Sequence, residues 1–301
     1  MFKRTLIAAM LTASMSASAV EMNIGSGGEG GFYEGTMKNI AAKANAAYKG
    51  KEPITFNVEN TNGSVENIVG LSDGDYDLII AQADCLKNGR AMPPSAAIYN
   101  AHKEAVYFLI NKDVHKDDGI DDLEDIEGSD KYRMAVVEDS GALCTLKAFV
   151  GEDSGYKTNL DNAIYFDDMY DAAEAVANGA TTVNGKTVPV AAMLYVSRVG
   201  SISGQIVEDF GTQLVIGEAT DGDFNDAEDL NGKDLFENCS IPKSARQGMA
   251  GATIGDQDTV CVRAQVVFNI EWTQNFENKK DRKKAKKAVK RAINRTLKAT
   301  R

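Results

Sequence analysis

Four short apolar runs punctuate the chain: DLIIAQ at 77–82, AVYFLI at 105–110, MAVV at 134–137 and VAAMLYV at 190–196. Each is continuous rather than alternating and too short for a typical helix, as expected of strands buried on both faces of a sheet. Ahead of the first run, apolar and small positions recur at helical spacing: Ile40, Ala44 and Ala47 in one segment, Val65, Ile68, Val69 and Ser72 in the next. The pattern predicts strand 21–26, helix 31–48, strand 53–59, helix 64–72, strand 76–82 and strand 104–111. The later chain repeats the plan. KYRMAVVEDSGALCTLKAFVGED reads as strand, glycine turn and helix, followed by the strand NAIYF, the helix DMYDAAEAVANG and the strand VPVAAMLYVS. Strand alternating with helix in two similar halves predicts a two-lobed α/β protein.

Two glycine-rich turns stand where a strand runs into a helix, IGSGGEGGFYEG at 24–35 and ENTNGSVENIVGLSDG at 59–74. Glycine admits a ligand close to the backbone, and the first-turn amides of the following helix point unpaired N–H groups at it. Such places bind carboxylates and phosphates. Glu29 and Glu34 in the first turn are open to two readings, as solvated loop acids or as partners for a ligand ammonium group.

The chain opens with Lys3 and Arg4, a short apolar run and Ala17-Ser18-Ala19, the pattern of a secretory signal peptide over residues 1–19. No stretch has the length of a membrane span, so a periplasmic protein is expected. Among its 301 residues the net charge is −11, although residues 279–301 hold twelve Lys or Arg against the single acid Asp281. The body is therefore strongly acidic, which argues against nucleic acid as a partner. Four cysteines, Cys85, Cys144, Cys239 and Cys261, permit three pairings in an exported protein. Cys239 and Cys261 flank a short loop before a buried strand and are expected to pair. Cys85 and Cys144 each follow a turn of a different lobe, and a bridge between them would restrain a hinge expected to be free.

Other chemistry is poorly supported. The histidines His102 and His115 lie beside no cysteine, so no metal is expected. Gly25, Gly27 and Gly30 formally satisfy G-x-G-x-x-G, with Glu59 after the next strand, but a lone fingerprint is a weak sign of a dinucleotide. Ser140-Gly141 lacks a nucleophile elbow, and DGDYD and DGDFNDAED lack the glycine that a calcium loop needs at its sixth position. No cofactor and no enzymatic activity are expected.

The strand-GSGGEGGFYEG-helix unit followed by ENTNGSVENIVGLSDGDYDLIIAQAD resembles the TAXI family of solute receptors for tripartite TRAP transporters. The resemblance covers residues 23–84, continues at 134–142 and 188–197, and fades after about 245; the string Asn62-Gly63-Ser64-Val65-Glu66-Asn67 carries most of it. It implies a type 2 periplasmic-binding-protein fold, two α/β lobes with a ligand cleft between them, and binding rather than catalysis. It implies a small carboxylate-bearing solute, an amino acid or a dicarboxylate, handed to a TRAP-type membrane permease. Carried over residue by residue, the contact candidates are Gly27, Gly28, Gly31, Phe32 and Tyr33, then Thr61, Asn62, Gly63 and Ser64, with Ser140, Gly141 and Ala142 opposite. Gln82, Asp84, Tyr195 and Ser197 join them from strand ends, where open α/β sheets place ligands. Lobe 1 is expected over 20–105, lobe 2 over 106–215, and a return to lobe 1 over 216–301.

The basic tail has Ala285, Val289, Ala292, Ile293, Thr296 and Leu297 on one helical face. That face suits packing on lobe 1, and the lysines also suit an anionic membrane surface or an acidic transporter. A receptor of the same fold acting in signalling or as a scaffold, without transport, is the alternative function.

Overall fold

The computed structural model describes residues 18–230, 232–251 and 255–300. The expected leader lies outside them except for Ser18 and Ala19. Lobe 1 opens with β1 (Val20–Gly25), α1 (Phe32–Ala47), β2 (Ile54–Glu59), α2 (Ser64–Asp73), β3 (Leu78–Gln82) and α3 (Ala83–Asn88), and the long β4 (Ala96–Asn111) leads out of it. Lobe 2 follows with α4 (Lys112–Asp118), β5 (Met134–Val137), α5 (Gly141–Glu152), α6 (Lys157–Asp161), β6 (Ile164–Phe166), α7 (Met169–Ala177) and the hairpin β7 (Ala180–Val183) and β8 (Lys186–Pro189). It continues through β9 (Ala192–Arg198), α8 (Gly204–Phe210), β10 (Leu214–Gly217) and β11 (Phe236–Ile241); β12 (Gln257–Asn269) then crosses back and α9 (Lys279–Thr300) lies over lobe 1.

Both lobes have the same strand order. Lobe 1 runs β2-β1-β3-β12-β4 and lobe 2 runs β6-β5-β9-β4-β10. In each, three strands of the lobe's own βαβ units are followed by a crossing strand, antiparallel to its neighbours, and then a fourth. This repeated order, with β4 and β12 shared between lobes, is a type 2 periplasmic-binding-like fold.

Each sheet is covered on both faces, which is why its strands read as unbroken apolar runs. All five residues of β3 are buried. On one face of lobe 1, Met37, Ile40, Ala41 and Ala44 of α1 pack with Ala285, Val289, Ala292, Ile293 and Leu297 of α9 over Ile24 and Val266. Val289, Ile293 and Leu297 are each worth about 1.5–3 kcal/mol in that burial. The apolar face of the basic helix is therefore occupied, leaving only its charged side for an anionic surface. Asp281, the helix's one acid, is buried and accepts the backbone N–H groups of Lys51 (2.8 Å) and Glu52 (3.1 Å). Ala47 and Ser72, expected on packed faces, are exposed at the last turns of their helices.

The return to lobe 1 comes later than the expected residue 216. β10 pairs with β4, and Phe224, Leu235 and Phe236 join Phe149 of α5 in the lobe 2 core. Pairing with lobe 1 strands begins only at Arg263 of β12. The run VCVRAQVVFN crosses from lobe to lobe within one continuous strand that holds Arg263 and Gln265 but no glycine, proline or turn, so the pattern gave no boundary there.

The free hinge is also corrected. Cys85 on α3 is bonded to Cys144 on α5, so the lobes are joined covalently at a third place besides β4 and β12. Beside that bridge the Thr145 hydroxyl of lobe 2 donates to Asp84 Oδ2 of lobe 1 at 2.7 Å. The second bridge, Cys239–Cys261, staples β11 to β12.

Candidate functional site

The two glycine turns are stitched into one surface by polar groups. Ser26 Oγ donates to the Glu59 carbonyl (2.6 Å), and Asn60 Nδ2 donates to that of Gly27 (3.0 Å). Asn67, fully buried, donates through Nδ2 to the carbonyls of Ser26 (2.6 Å) and Ile80 (2.8 Å) and accepts from the Thr61 hydroxyl (2.9 Å). Gly31 must be glycine because a Cβ there would stand 2.8 Å from the Gly28 carbonyl oxygen. Gly63, with φ +120° and ψ −141°, occupies backbone that side-chain-bearing residues avoid. Among the described residues neither α1 nor α2 has a side-chain cap, so their first-turn amides keep unpaired donors. Glu34 follows neither expected reading: it is buried, accepts from the Gly30 amide (2.8 Å) and meets Lys38 (2.5 Å), bonds that hold its carboxyl below the usual range.

Across the cleft, α5 presents its N-terminus. Ser140 caps it, with Oγ accepting from the Leu143 amide and donating to the Val137 carbonyl, so the serine offers backbone rather than hydroxyl to the cleft. The N-termini of α1, α2 and α5 surround a cavity of about 200 Å³ between the lobes. Gly27, Gly28, Gly31, Phe32, Tyr33, Asn62, Gly63, Ser64, Gln82, Ser140, Gly141, Ala142 and Ser197 all line it.

Three candidates do not. Thr61 is buried under the loop, bonded to Asn67. Asp84 is fully buried between the lobes, held by the Cys85 amide and Thr145. Tyr195, on the same face of β9 as Ser197, packs edge-on against Tyr107 at 5.8 Å and does not reach the cavity lining. Thr61 lies in the loop after β2, Asp84 in the first turn of α3 and Tyr195 within β9; all three are near the cleft, but their side chains are taken up by hydrogen bonds or packing.

Glu104, Met169, Val196 and Arg198 complete the lining and were missed by the sequence reading. Glu104 and Arg198 are cross-strand partners in the β4–β9 register, yet they form no ion pair with each other among the described residues. Glu104 is buried, accepting the Tyr33 hydroxyl at 2.8 Å and facing His102 Nε2 at 3.2 Å. Desolvation first, then the Glu104 charge, pushes the Tyr33 hydroxyl far above its ordinary range, so Tyr33 stays protonated. Arg198 lies over the Phe32 ring, its guanidinium carbon 4.7 Å from the centroid. The cavity thus holds one carboxylate and one guanidinium apart, inside a ring of helix N-termini. Glu104 sits where the apolar run begins and Arg198 just past the end of one, positions with no periodic signal.

A larger polar cavity of about 640 Å³ near the crossing strands is lined by Glu237 and Arg263, which already pair with each other. The described residues contain no cluster of metal-ligating side chains and no helix long and apolar enough to cross a membrane.

The sequence matches no protein-family model and no curated protein. Among solved structures, the chain is similar to a reduced form of OxyR from N. meningitidis, at 12% identity and TM-score 0.45 over 92% of this chain and 95% of that one. It is similar to the effector binding domain of QuiR in complex with shikimate, at 11% identity and TM-score 0.46 over 92% of this chain and 99% of that one. A third similar structure is the BenM effector binding domain with benzoate, at 10% identity and TM-score 0.44 over 92% of this chain and 94% of that one.

Proposed function

We propose that this protein is an exported, periplasmic, non-enzymatic receptor that captures a small carboxylate-bearing solute between its lobes and delivers it to a TRAP-type membrane permease. The observation that carries the reading is the interlobe cavity, where three helix N-termini and Arg198 converge on a space of about 200 Å³. Helix N-termini and a guanidinium both favour a carboxylate. The volume is below the roughly 300–1,000 Å³ of drug-sized pockets, which restricts the solute to a few carbons. Glu104, buried opposite Arg198, favours an amino acid over a dicarboxylate, since an ammonium group meets it and a second carboxylate is repelled. The permease rests on the TAXI resemblance over residues 23–84 and at the later matching segments.

The test is a thermal-shift screen of amino acids, short dicarboxylic acids, sugars and metal ions, with mass spectrometry of small molecules released from natively purified protein. A ligand at a hundredfold excess over its Kd stabilises the fold by about 2.7 kcal/mol, so a carboxylate solute is expected to raise the midpoint. A shift with sugars or metal ions alone overturns the reading.

A further inference from the structure

We propose that the Cys85–Cys144 bridge is an exchangeable latch between the lobes, opened by an external dithiol with anionic surroundings, whereas Cys239–Cys261 is a structural staple. The bridge ties the first turns of α3 and α5, immediately behind Gln82 and Gly141 of the cleft. Both its cysteines also line a separate open cavity of about 440 Å³, walled by Val65 and Val69 and bordered by Arg90 and Lys147. Arg90 is bonded to Asp73, while Lys147 has no carboxylate partner among the described residues. The bridge is therefore reached through a passage that attracts a thiolate and stabilises the one that leaves. Cys239 is only partly buried, more exposed than either latch cysteine, so the two bridges differ by charge: it lines a cavity bordered by Glu124, Asp221 and Asp258 with no cation in its lining, which repels the same reagent.

Cys144 is 7% exposed and Cys85 1%, so the incoming thiolate attacks Cys144 Sγ. The bridging S–S bond breaks, Cys85 leaves as a thiolate and takes a proton from water, and a mixed disulfide remains on Cys144. The second thiol of the reductant attacks that disulfide and releases Cys144, the bridge having gained two electrons and two protons while the dithiol becomes a disulfide. Release leaves β4 and β12 as the covalent connections between lobes. This latch does not depend on what the cleft binds.

The native, ligand-free chain is treated separately with 2-mercaptoethanesulfonate and cysteamine, and both bridges are followed by alkylation and peptide mass mapping. The sulfonate thiol is expected to open Cys85–Cys144 at least about tenfold faster than Cys239–Cys261, as charge steering allows, and Lys147→Glu is expected to turn the preference towards cysteamine. Small-angle scattering should then show a larger radius of gyration for protein reduced with dithiothreitol, and for Cys85→Ser with Cys144→Ser. Equal opening of both bridges, resistance of Cys85–Cys144 to dithiothreitol under native conditions, or an unchanged radius after its reduction each overturns the latch.

Discussion

Replacing Asp84 by asparagine is expected to stabilise the protein at neutral and alkaline pH while flattening its pH dependence. Burial between the lobes pushes the Asp84 carboxyl up to about 7 from 3.8, only partly offset by the bonds from Thr145 and the Cys85 amide. The folded state thus holds this proton about three pH units longer than the unfolded chain. Between about pH 4 and 7 the folded state binds more protons than the unfolded one, so stability falls as pH rises through that window and levels off above it. At about 1.4 kcal/mol per pH unit, the cost grows by roughly 2–3 kcal/mol between pH 5 and 8. Asparagine carries no charge to desolvate. Its Oδ1 can accept from the Cys85 amide, and its Nδ2 can donate to Thr145 Oγ1, which in turn has the Gly141 carbonyl 3.2 Å away as acceptor. Urea unfolding of wild type and Asp84→Asn at pH 5 and pH 8, both bridges intact, measures the difference. The variant should keep a smaller slope, from Asp77, whose carboxyl burial pushes up to about 6, and from Glu124, Glu127 and Glu218, which burial also raises. An unchanged slope, or a variant less stable than wild type at pH 8, refutes the reasoning.

Other changes probe the cleft and the scaffold separately. Gly141→Ala places a Cβ within 2.5 Å of the Gln82 amide; calorimetry should show weaker solute binding as Gln82 is driven into the cavity, with the fold retained by circular dichroism. Asn67→Ala removes three buried hydrogen bonds and should cost about 2–4 kcal/mol, read as a lower urea midpoint. Ile293→Ala in α9 should cost about 2–5 kcal/mol without altering solute affinity, because its contacts lie in the outer core of lobe 1.

Much of this fold is written in local pattern. Buried strands such as LIIAQ and MAVV announce themselves because both faces are covered, and the glycine turns do because backbone geometry demands glycine at Gly31 and Gly63. The face of α9 was legible for the same reason: Ala285, Val289, Ala292, Ile293, Thr296 and Leu297 are all buried. What pattern conceals is how far along a strand face the cavity reaches. Ser197 lines the cavity while Tyr195, two residues earlier, packs on Tyr107. Glu104 and Arg198 were invisible because their role comes from register across β4 and β9, a pairing set by the whole lobe. The interlobe bridge was similarly hidden, since its cysteines are 59 residues apart in different lobes and only the assembled fold shows their Cα atoms 5.1 Å from each other.

The central claim, a carboxylate receptor centred on Arg198, is tested most directly by isothermal titration of amino acids and four- to six-carbon dicarboxylic acids into wild type and Arg198→Ala. At least one such solute should bind wild type with one-to-one stoichiometry. Loss of a charge-assisted contact of about 1.5–3 kcal/mol should weaken it by at least about tenfold in the variant, with the unfolding midpoint unchanged. Binding of equal strength in both proteins, or saturable binding confined to sugars or metal ions, would contradict the account.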